Sequence, residues 1–489
     1  MSQPINKHSG AKSIKVNAIL NIIKQCSTVL FPLIIYPYIS RALGTDNFGR
    51  VSFAASVVEY GTIFAMLGIQ TYAVREGSGL REDKPRIKKF ASELFTINLL
   101  SMLATLVVLA VLTIFVPRLN REATLIAILS VNIVSFVLGR EWINTVYEDF
   151  LYISLRYIAF KTLALILILV FVKKPEDFLL YGVITLVSDS GGYLANVLYT
   201  RKYVPIRVTK EPAFHIHMKP VLLLFCTTLA IQVYIQSDIL ILGLLRSDSE
   251  VGIYSLASKI YYVVKSVLNA VIMVAIPRLS MYLAQKKSED YNRLLNNLKD
   301  ALIVLILPCI TGAVCMSRNI MLIMGGEDYV SGTGAFMILC AALLFAVFGC
   351  FFAQGVMIPN KREKHFAYYT SFAAILNIVL NFILIPFLGI EAAAITTLIA
   401  EIAIMLTCWH NTKDLYKLTI DKGIFLVLAG CAAIFLVCQA VRLISLPLLP
   451  ETAVSIILSV AVYFGILYIG KNKVVVSGVQ SVLNKVKRH

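Results

Sequence analysis

Residues 37–59 read PYISRALGTDNFGRVSFAASVVE, an apolar segment that turns between Gly44 and Gly49 and continues into a second apolar segment. A looser copy, VGIYSLASK, lies 203 residues downstream and aligns Gly252 with Gly49. The same alignment pairs Ser255 with Ser52 and Ala257 with Ala54. Because each copy lies between two apolar segments, the sequence predicts two related halves facing each other.

Composition indicates the class of protein. The 489 residues are 58% hydrophobic and 15% charged, with a mean hydropathy of +0.80. A bilayer-spanning helix needs about 20 mostly apolar residues, which gives about fourteen spans here. We predict an all-α polytopic membrane protein with two pseudo-symmetric six-helix lobes and two C-terminal helices. The predicted domains are residues 1–205 (helices 1–6), 206–412 (helices 7–12) and 413–489 (helices 13–14 and a tail).

Lysine and arginine are unevenly distributed between alternate loops. Of the 45 basic residues, 31 fall on the side of the N-terminus, 9 on the other side and 5 within spans. Because cytoplasmic loops are enriched in basic residues, we predict that both termini are cytoplasmic and that the N-terminal segment is retained. Anionic membrane lipids then explain the net charge of +17, so nucleic acid is not an expected partner.

Polar side chains recur at helical spacing on three otherwise apolar segments. Spacings of three and four residues place such side chains on one face of a helix. A charged side chain within the bilayer is costly unless it is paired, faces a water-filled cavity or binds a ligand. We therefore expect these stripes to line a water-filled cleft for a substrate with an anionic group. The alternative is packing between helices, for example Lys24 against Glu59. The candidates are Lys24 on helix 1, Ser52, Ser56 and Glu59 on helix 2, and Ser255, Lys259 and Tyr262 on helix 8.

Four other charges within predicted spans have specific interpretations. Asp238 and Glu401 are candidates for ion coupling, whereas Lys161 and Asp189 on neighbouring helices are expected to pair. All six histidines fall in loops, tails or span ends, so a buried histidine relay is not expected. The nine cysteines lie within spans without Cys-x-x-Cys spacing, so we expect neither a metal site nor a cofactor.

Features of an enzyme are missing from the sequence. It contains no convincing nucleophile and base pair and no intact ATP-binding loop. No outward loop is longer than about fourteen residues, which argues against an exposed catalytic domain. We therefore predict a transporter with no catalytic residues.

Three sets of motifs resemble the polysaccharide transporter family, which comprises Wzx-type flippases for O-antigen, capsule and exopolysaccharide repeat units. It belongs to the superfamily of multidrug, oligosaccharidyl-lipid and polysaccharide flippases. The resemblance covers nearly the whole chain. Its motifs are RALG at 41–44 with Phe48-Gly49, GIYSLA at 252–257 with Pro277-Arg278-Leu279, and Asn377-x3-Asn381-x3-Ile385-Pro386 continuing to Glu401.

The resemblance implies a V-shaped pair of lobes that moves a polyprenyl-pyrophosphate-linked oligosaccharide across the bacterial cytoplasmic membrane by alternating access. Polysaccharide polymerase machinery is an implied partner. On the implied lining helices fall Lys24, Glu59, Lys259 and Lys265, while Arg75 and Arg278 lie at cytoplasmic helix ends suited to headgroup capture. The alternatives are an ion-coupled multidrug extruder of the same superfamily, or a membrane-embedded glycan polymerase or transferase.

Overall fold

A computed structural model describes the backbone of residues 14–419 and 421–486, and the side chains of residues 27–419 and 421–480. The described chain is helical throughout, apart from short connections. Its helices are α1 (Ile14–Met66), α2 (Ile69–Leu80), α3 (Lys84–Phe115), α4 (Pro117–Arg121), α5 (Ala123–Gly139), α6 (Glu141–Val146), α7 (Phe150–Phe171), α8 (Phe178–Tyr199), α9 (Phe214–Leu245), α10 (Asp248–Ala284), α11 (Ser288–Cys315), α12 (Ser317–Gly325), α13 (Thr333–Cys350), α14 (Glu363–Thr412), α15 (Gly423–Leu443), α16 (Leu448–Ile469) and α17 (Lys473–Val486).

Within the described residues, twelve helical segments are long and apolar enough to cross a membrane. Two of them contain a break in helical geometry. Helix α1 is interrupted at Gly44 (φ 71°, ψ 176°), and α14 at Gly389 (φ 58°, ψ −130°). Both glycines have positive φ, a conformation that other residues rarely adopt. Counting each interrupted segment as two spans gives fourteen, which confirms the predicted polytopic helical fold.

The chain divides into two compact units. The first contains the described residues up to Ile35 together with Ala54–Leu229, and the second contains Tyr36–Phe53 together with the chain from Ala230 onward. The turn between Gly44 and Gly49 therefore belongs to the second unit.

The first unit is organised by two groups of helices. Helix α8 packs against α5 and α7, while α2, α3 and α6 enclose an aromatic core around Tyr72, Phe90 and Trp142. The start of α9 joins this core through Val221, which is fully buried.

The second unit is built on α10, α11, α13 and α14, which share one apolar core. A π-helical segment, Phe351–Met357, continues α13 and is almost completely buried in that core. Helices α15 and α16 pack on each other, and α15 packs on α11. The Tyr463 hydroxyl donates a hydrogen bond to the Val304 carbonyl (2.7 Å) and fastens α16 to α11.

The two repeat glycines meet inside the second unit. A Cβ atom on Gly49 would lie 1.8 Å from the carbonyl oxygen of Asp248, and one on Gly252 would lie 2.0 Å from that of Thr45. Ser249 also donates a hydrogen bond to the Thr45 hydroxyl (2.8 Å). Backbones can approach this closely only where side chains are absent. The two glycines therefore allow the segment around Gly49 to cross the start of α10 in close contact.

Replacing either repeat glycine with alanine is expected to destabilise the protein. The new methyl group would meet backbone atoms that cannot rotate away, and overpacking of this kind costs about 1–3 kcal/mol or more. We expect Gly49→Ala and Gly252→Ala to lower the thermal unfolding midpoint of the detergent-solubilised protein. Gly465→Ala in α16 is the matched control, because a Cβ there meets no atom within 4 Å. If all three variants have the same thermal unfolding midpoint, the close backbone contact at Gly49 and Gly252 is contradicted.

Candidate functional site

Helix α10 carries the charged side chains that the sequence places on helix 8. Its start is fixed by a capping box, in which Ser247 Oγ accepts a hydrogen bond from the Glu250 amide while the Glu250 carboxylate accepts one from the Ser247 amide. Along α10, the Gly252 face is buried, whereas Lys259 and Lys265 are half-buried. The helix therefore presents two ammonium groups within a span.

Lys259 lies in an aromatic and hydroxyl environment. Its ammonium group donates a hydrogen bond to Ser52 Oγ (3.1 Å) and lies 4.6 Å from the ring centroid of Phe48 and 5.4 Å from that of Tyr36. The sequence repeat aligned the Ser52 and Lys259 stripes, and the structure brings these two residues into contact. Cation–π contacts offset part of the cost of removing an ammonium group from water.

Lys265 lies six residues further along α10 and forms an ion pair. Its ammonium group is 2.5 Å from Glu401 Oε1, and the same oxygen accepts a hydrogen bond from the Tyr261 hydroxyl (2.8 Å). The Tyr234 and Tyr262 rings lie 5.4 and 5.8 Å from the ammonium group. Glu401 is buried, so its charge is balanced by Lys265 rather than by water.

Asp238 is buried on α9 and is surrounded by neutral donors. Its carboxylate accepts hydrogen bonds from the Tyr254 hydroxyl (2.8 Å), the Asn381 amide (2.7 Å) and the Thr397 hydroxyl (2.5 Å). Among the residues whose side chains are described, no lysine or arginine pairs with it. Ser237 extends the network by donating to the Asn377 side-chain oxygen (2.7 Å). Asp238 thus differs from Glu401, whose charge is balanced by a cation.

Comparison with known proteins establishes the family of the chain. The family described as Polysaccharide biosynthesis protein matches residues 14–283, more than half of the sequence. The chain belongs to this family. The resemblance seen in the sequence motifs is therefore confirmed.

Two relatives and one solved structure illustrate this membership. The "Putative O-antigen transporter" of Escherichia coli (strain K12) is 23% identical over 431 residues, 82% of this chain and 98% of the relative. The "Probable low-salt glycan biosynthesis flippase Agl15" of Haloferax volcanii is 24% identical over 164 residues, 34% of each chain. The structure titled "Lipid II flippase MurJ, inward closed conformation" has a TM-score of 0.72 at 14% identity and covers 94% of this chain and 100% of its own. This last likeness shows the fold, that of a multi-pass membrane protein.

Within this family member, the remaining predicted site residues lie in varied surroundings. Ser255 is fully buried and its hydroxyl has no hydrogen-bond partner in the described part of the chain, so a substrate could reach it only after a rearrangement. Ser56 is buried and Glu59 is half-buried. The Tyr262 hydroxyl donates to the Ile235 carbonyl (2.9 Å). The role of each in substrate binding stays a prediction.

The basic residues predicted at helix ends are accessible. Arg75 and Arg278 are both exposed, although Arg75 lies in the middle of α2 and Arg278 lies within α10, in the turns before its end at Ala284. The Arg75 guanidinium donates a hydrogen bond to Glu76 (2.9 Å). Lys24 lies outside the residues whose side chains are described. The expected pair of Lys161 with Asp189 is confirmed, with 2.7 Å between ammonium and carboxylate.

The sequence placed His217 in a loop or at a span end, and the structure buries it near the start of α9. His217 is only 3% exposed, and its ring nitrogens lie 3.1 Å from the Tyr72 hydroxyl and 3.1 Å from a Glu93 carboxylate oxygen. It lies near the start of α9, which contacts α2 and α3 of the first unit. Glu93 follows the basic first turns of α3, four residues after Lys89, so the sequence alone did not single out His217 as its partner.

Metal ligation is not evident in the described part of the chain, where no group of three or more His, Cys, Asp or Glu side chains could hold an ion. Apart from the carboxylates of Asp238 and Glu401, the site consists mainly of lysines, aromatic rings and hydroxyls. Such groups can bind phosphoryl oxygens and sugar hydroxyls without chemical change.

The buried pair of Lys265 and Glu401 gives a stability prediction. Removing one partner leaves an uncompensated charge, which typically costs about 3–5 kcal/mol. We expect Glu401→Gln to lower the thermal unfolding midpoint strongly, and the double variant Lys265→Met/Glu401→Gln to recover part of that loss. Glu148→Gln is the control, because Glu148 pairs with Arg81 on the surface (2.8 Å) and such pairs contribute about 0–1 kcal/mol. A double variant as unstable as the single one would argue against the charge explanation.

Proposed function

We propose that this protein is a flippase that translocates polyprenyl-pyrophosphate-linked oligosaccharide repeat units across the bacterial cytoplasmic membrane for surface polysaccharide biosynthesis. The family supports this role, as do the names of its relatives, an O-antigen transporter and a glycan biosynthesis flippase. The observation that carries it is the half-buried ammonium group of Lys259 among Ser52, Phe48 and Tyr36.

Physical chemistry explains why such a substrate needs this kind of site. A charged group at the centre of a bilayer costs at least about 2.5–3.5 kcal/mol, and each hydroxyl removed from water without a partner adds to this cost. The hydrocarbon core is about 30 Å thick, too thick for a headgroup to remain solvated while it crosses. A protein must therefore supply cations for the pyrophosphate and polar groups for the sugars along the way.

In the proposed mechanism, different predicted residues bind the pyrophosphate and the sugars. The exposed Arg75 on α2 and Arg278 on α10 would capture the pyrophosphate together with Lys24. Lys259 and Lys265 on α10 would then hold it within the span, with Ser52, Ser56, Glu59, Ser255 and Tyr262 offering hydrogen bonds to the sugars. Rocking of the bundle would expose the substrate on the other side while the polyprenyl chain stays in lipid. Both termini are cytoplasmic in this scheme, which involves no covalent step.

An ion gradient would supply the energy for movement, and Asp238 is the better of the two candidate coupling residues. The charge of Glu401 is balanced by Lys265, whereas the donors around Asp238 are neutral hydroxyl and amide groups. A carboxylate in such surroundings can bind a proton or a monovalent cation, and binding would change the hydrogen bonds that join α9, α10 and α14.

A leaflet-resolved assay of lipid-linked repeat units tests the flippase function. Depletion of the protein should trap intact units in the inner leaflet. Lys259→Ala should slow their outward movement by about ten- to hundredfold, because a charge-assisted hydrogen bond contributes about 1.5–3 kcal/mol. Lys259→Arg should retain most activity, and Lys417→Ala, which changes an exposed lysine, serves as the control.

Two results would contradict the flippase function, and a third would contradict the role of Lys259 in it. Raised drug sensitivity with normal surface glycan on depletion would indicate an extruder. Outward delivery of intact but unpolymerised units after depletion of the protein would indicate a polymerase. Loss of membrane abundance in Lys259→Ala equal to its loss of flipping would indicate that Lys259 only packs helices together.

Asp238→Asn tests ion coupling. The amide keeps the size of the side chain but cannot bind a cation or be protonated in the same way. In proteoliposomes with an imposed proton or sodium gradient, we expect this variant to lose the stimulation of flipping by the gradient while its gradient-free rate is kept. Asp189→Asn is the matched control, since Asp189 is paired and 47% exposed. Wild-type stimulation in Asp238→Asn would eliminate Asp238 as the coupling residue.

A further inference from the structure

The C-terminal helix α17 is held against the bundle by its first turns. The buried Asn472 caps the helix, since its side-chain oxygen accepts hydrogen bonds from the amides of Val474 (3.1 Å) and Val475 (3.4 Å). Val475 is buried in the cluster formed by α11, α15 and α16, and Val479 packs against the same cluster. The turn between α16 and α17 therefore has a defined position.

Two cavities flank this turn. One of about 250 Å³ lies between α11, the start of α15 and the start of α17, with Ile303, Leu426 and Val427 as apolar walls. The other, of about 630 Å³, lies along Tyr468, Ile469 and Val476. Both cavities are lined by Lys471 and Lys473. The second recess also has Ser477 and Gln480 on its lining. Two largely apolar recesses thus share one pair of ammonium groups.

Positive charge is in excess around the first cavity. Lys422 and Lys471 form no ion pair with any residue that the structure describes, and both are exposed at its rim. Lys473 is partly neutralised, because it donates a hydrogen bond to Asp421 (2.9 Å) and holds the pKa of that carboxyl below its usual value. The other acidic residue on the lining, Asp300, pairs with the buried Lys299 (3.1 Å). An anion is therefore the complementary ligand.

We propose that the turn and its two cavities bind an anionic glycerophospholipid, whose phosphate is held by Lys422, Lys471 and Lys473 and whose acyl chains occupy the two recesses. Basic residues next to membrane helices attract anionic lipid, at about 1 kcal/mol each. A polyprenyl pyrophosphate offers the same phosphate chemistry but only one chain, so the paired recesses favour a two-chain lipid. This site is independent of the proposed transport function.

Native mass spectrometry of the purified full-length protein with added phosphatidylglycerol tests the site. We expect Lys422→Gln/Lys471→Gln to weaken binding about fivefold for each lysine removed. Lys422→Arg/Lys471→Arg should keep binding, since it keeps the charges. Asp421→Asn should tighten binding, because it releases Lys473 from its carboxylate. Phosphatidylcholine, which has no net charge, should bind weakly to every variant.

The control is Lys286→Gln/Lys287→Gln, which removes two exposed lysines from the turn between α10 and α11. If phosphatidylglycerol binding falls equally in this variant and in Lys422→Gln/Lys471→Gln, binding depends only on the net charge of the protein. The proposed site then does not exist. Displacement of the phospholipid by a short polyprenyl pyrophosphate, or by inorganic phosphate alone, would assign the lysines to another ligand and overturn the proposal. If Lys422→Gln/Lys471→Gln keeps the wild-type thermal unfolding midpoint, its loss of lipid binding does not come from unfolding of α17.

Discussion

The absence of water from the hydrocarbon core is the constraint on which this structure depends, because every charge within a span must be compensated by the protein itself. The second unit meets this requirement in three ways. Lys265 pairs with Glu401, Lys259 contacts aromatic rings and a serine, and Asp238 accepts hydrogen bonds from neutral groups. The Lys265–Glu401 pair balances its own charge, whereas the carboxylate of Asp238 is held by neutral hydroxyl and amide groups, so a bound cation or proton would change the Asp238 network more.

One helix connects these arrangements. Helix α10 contributes Tyr254 to the Asp238 network, Lys259 to the aromatic environment, and both Tyr261 and Lys265 to Glu401. A ligand that binds one of these groups would alter the hydrogen bonds of α10, and through them the contacts of α9 and α14. In the proposed mechanism, an ion at Asp238 and a phosphate at Lys259 would therefore influence each other through α10.

Much of the fold and part of the site follow from the sequence. Span length predicted the helices, Gly44 marked the break in the first of them, and helical spacing put Lys259 on a polar stripe. Spacing identifies the face of a helix but not the helix opposite, so the pairing of Lys265 with Glu401, 136 residues away, could not be predicted. The burial of His217 was missed for the same reason: it depends on how the start of α9 packs beneath α3, and local pattern carries no such information.

The glycine crossing has a consequence for the history of the chain. Position 45 corresponds to 248 in the repeat, and 49 to 252, so the close approaches of Gly49 to Asp248 and of Gly252 to Thr45 are the same contact made twice in opposite directions. Reciprocal contacts of this kind define an isologous dimer interface. Here they occur within one polypeptide, which is the arrangement that gene duplication and fusion of a self-associating half-length ancestor would leave behind.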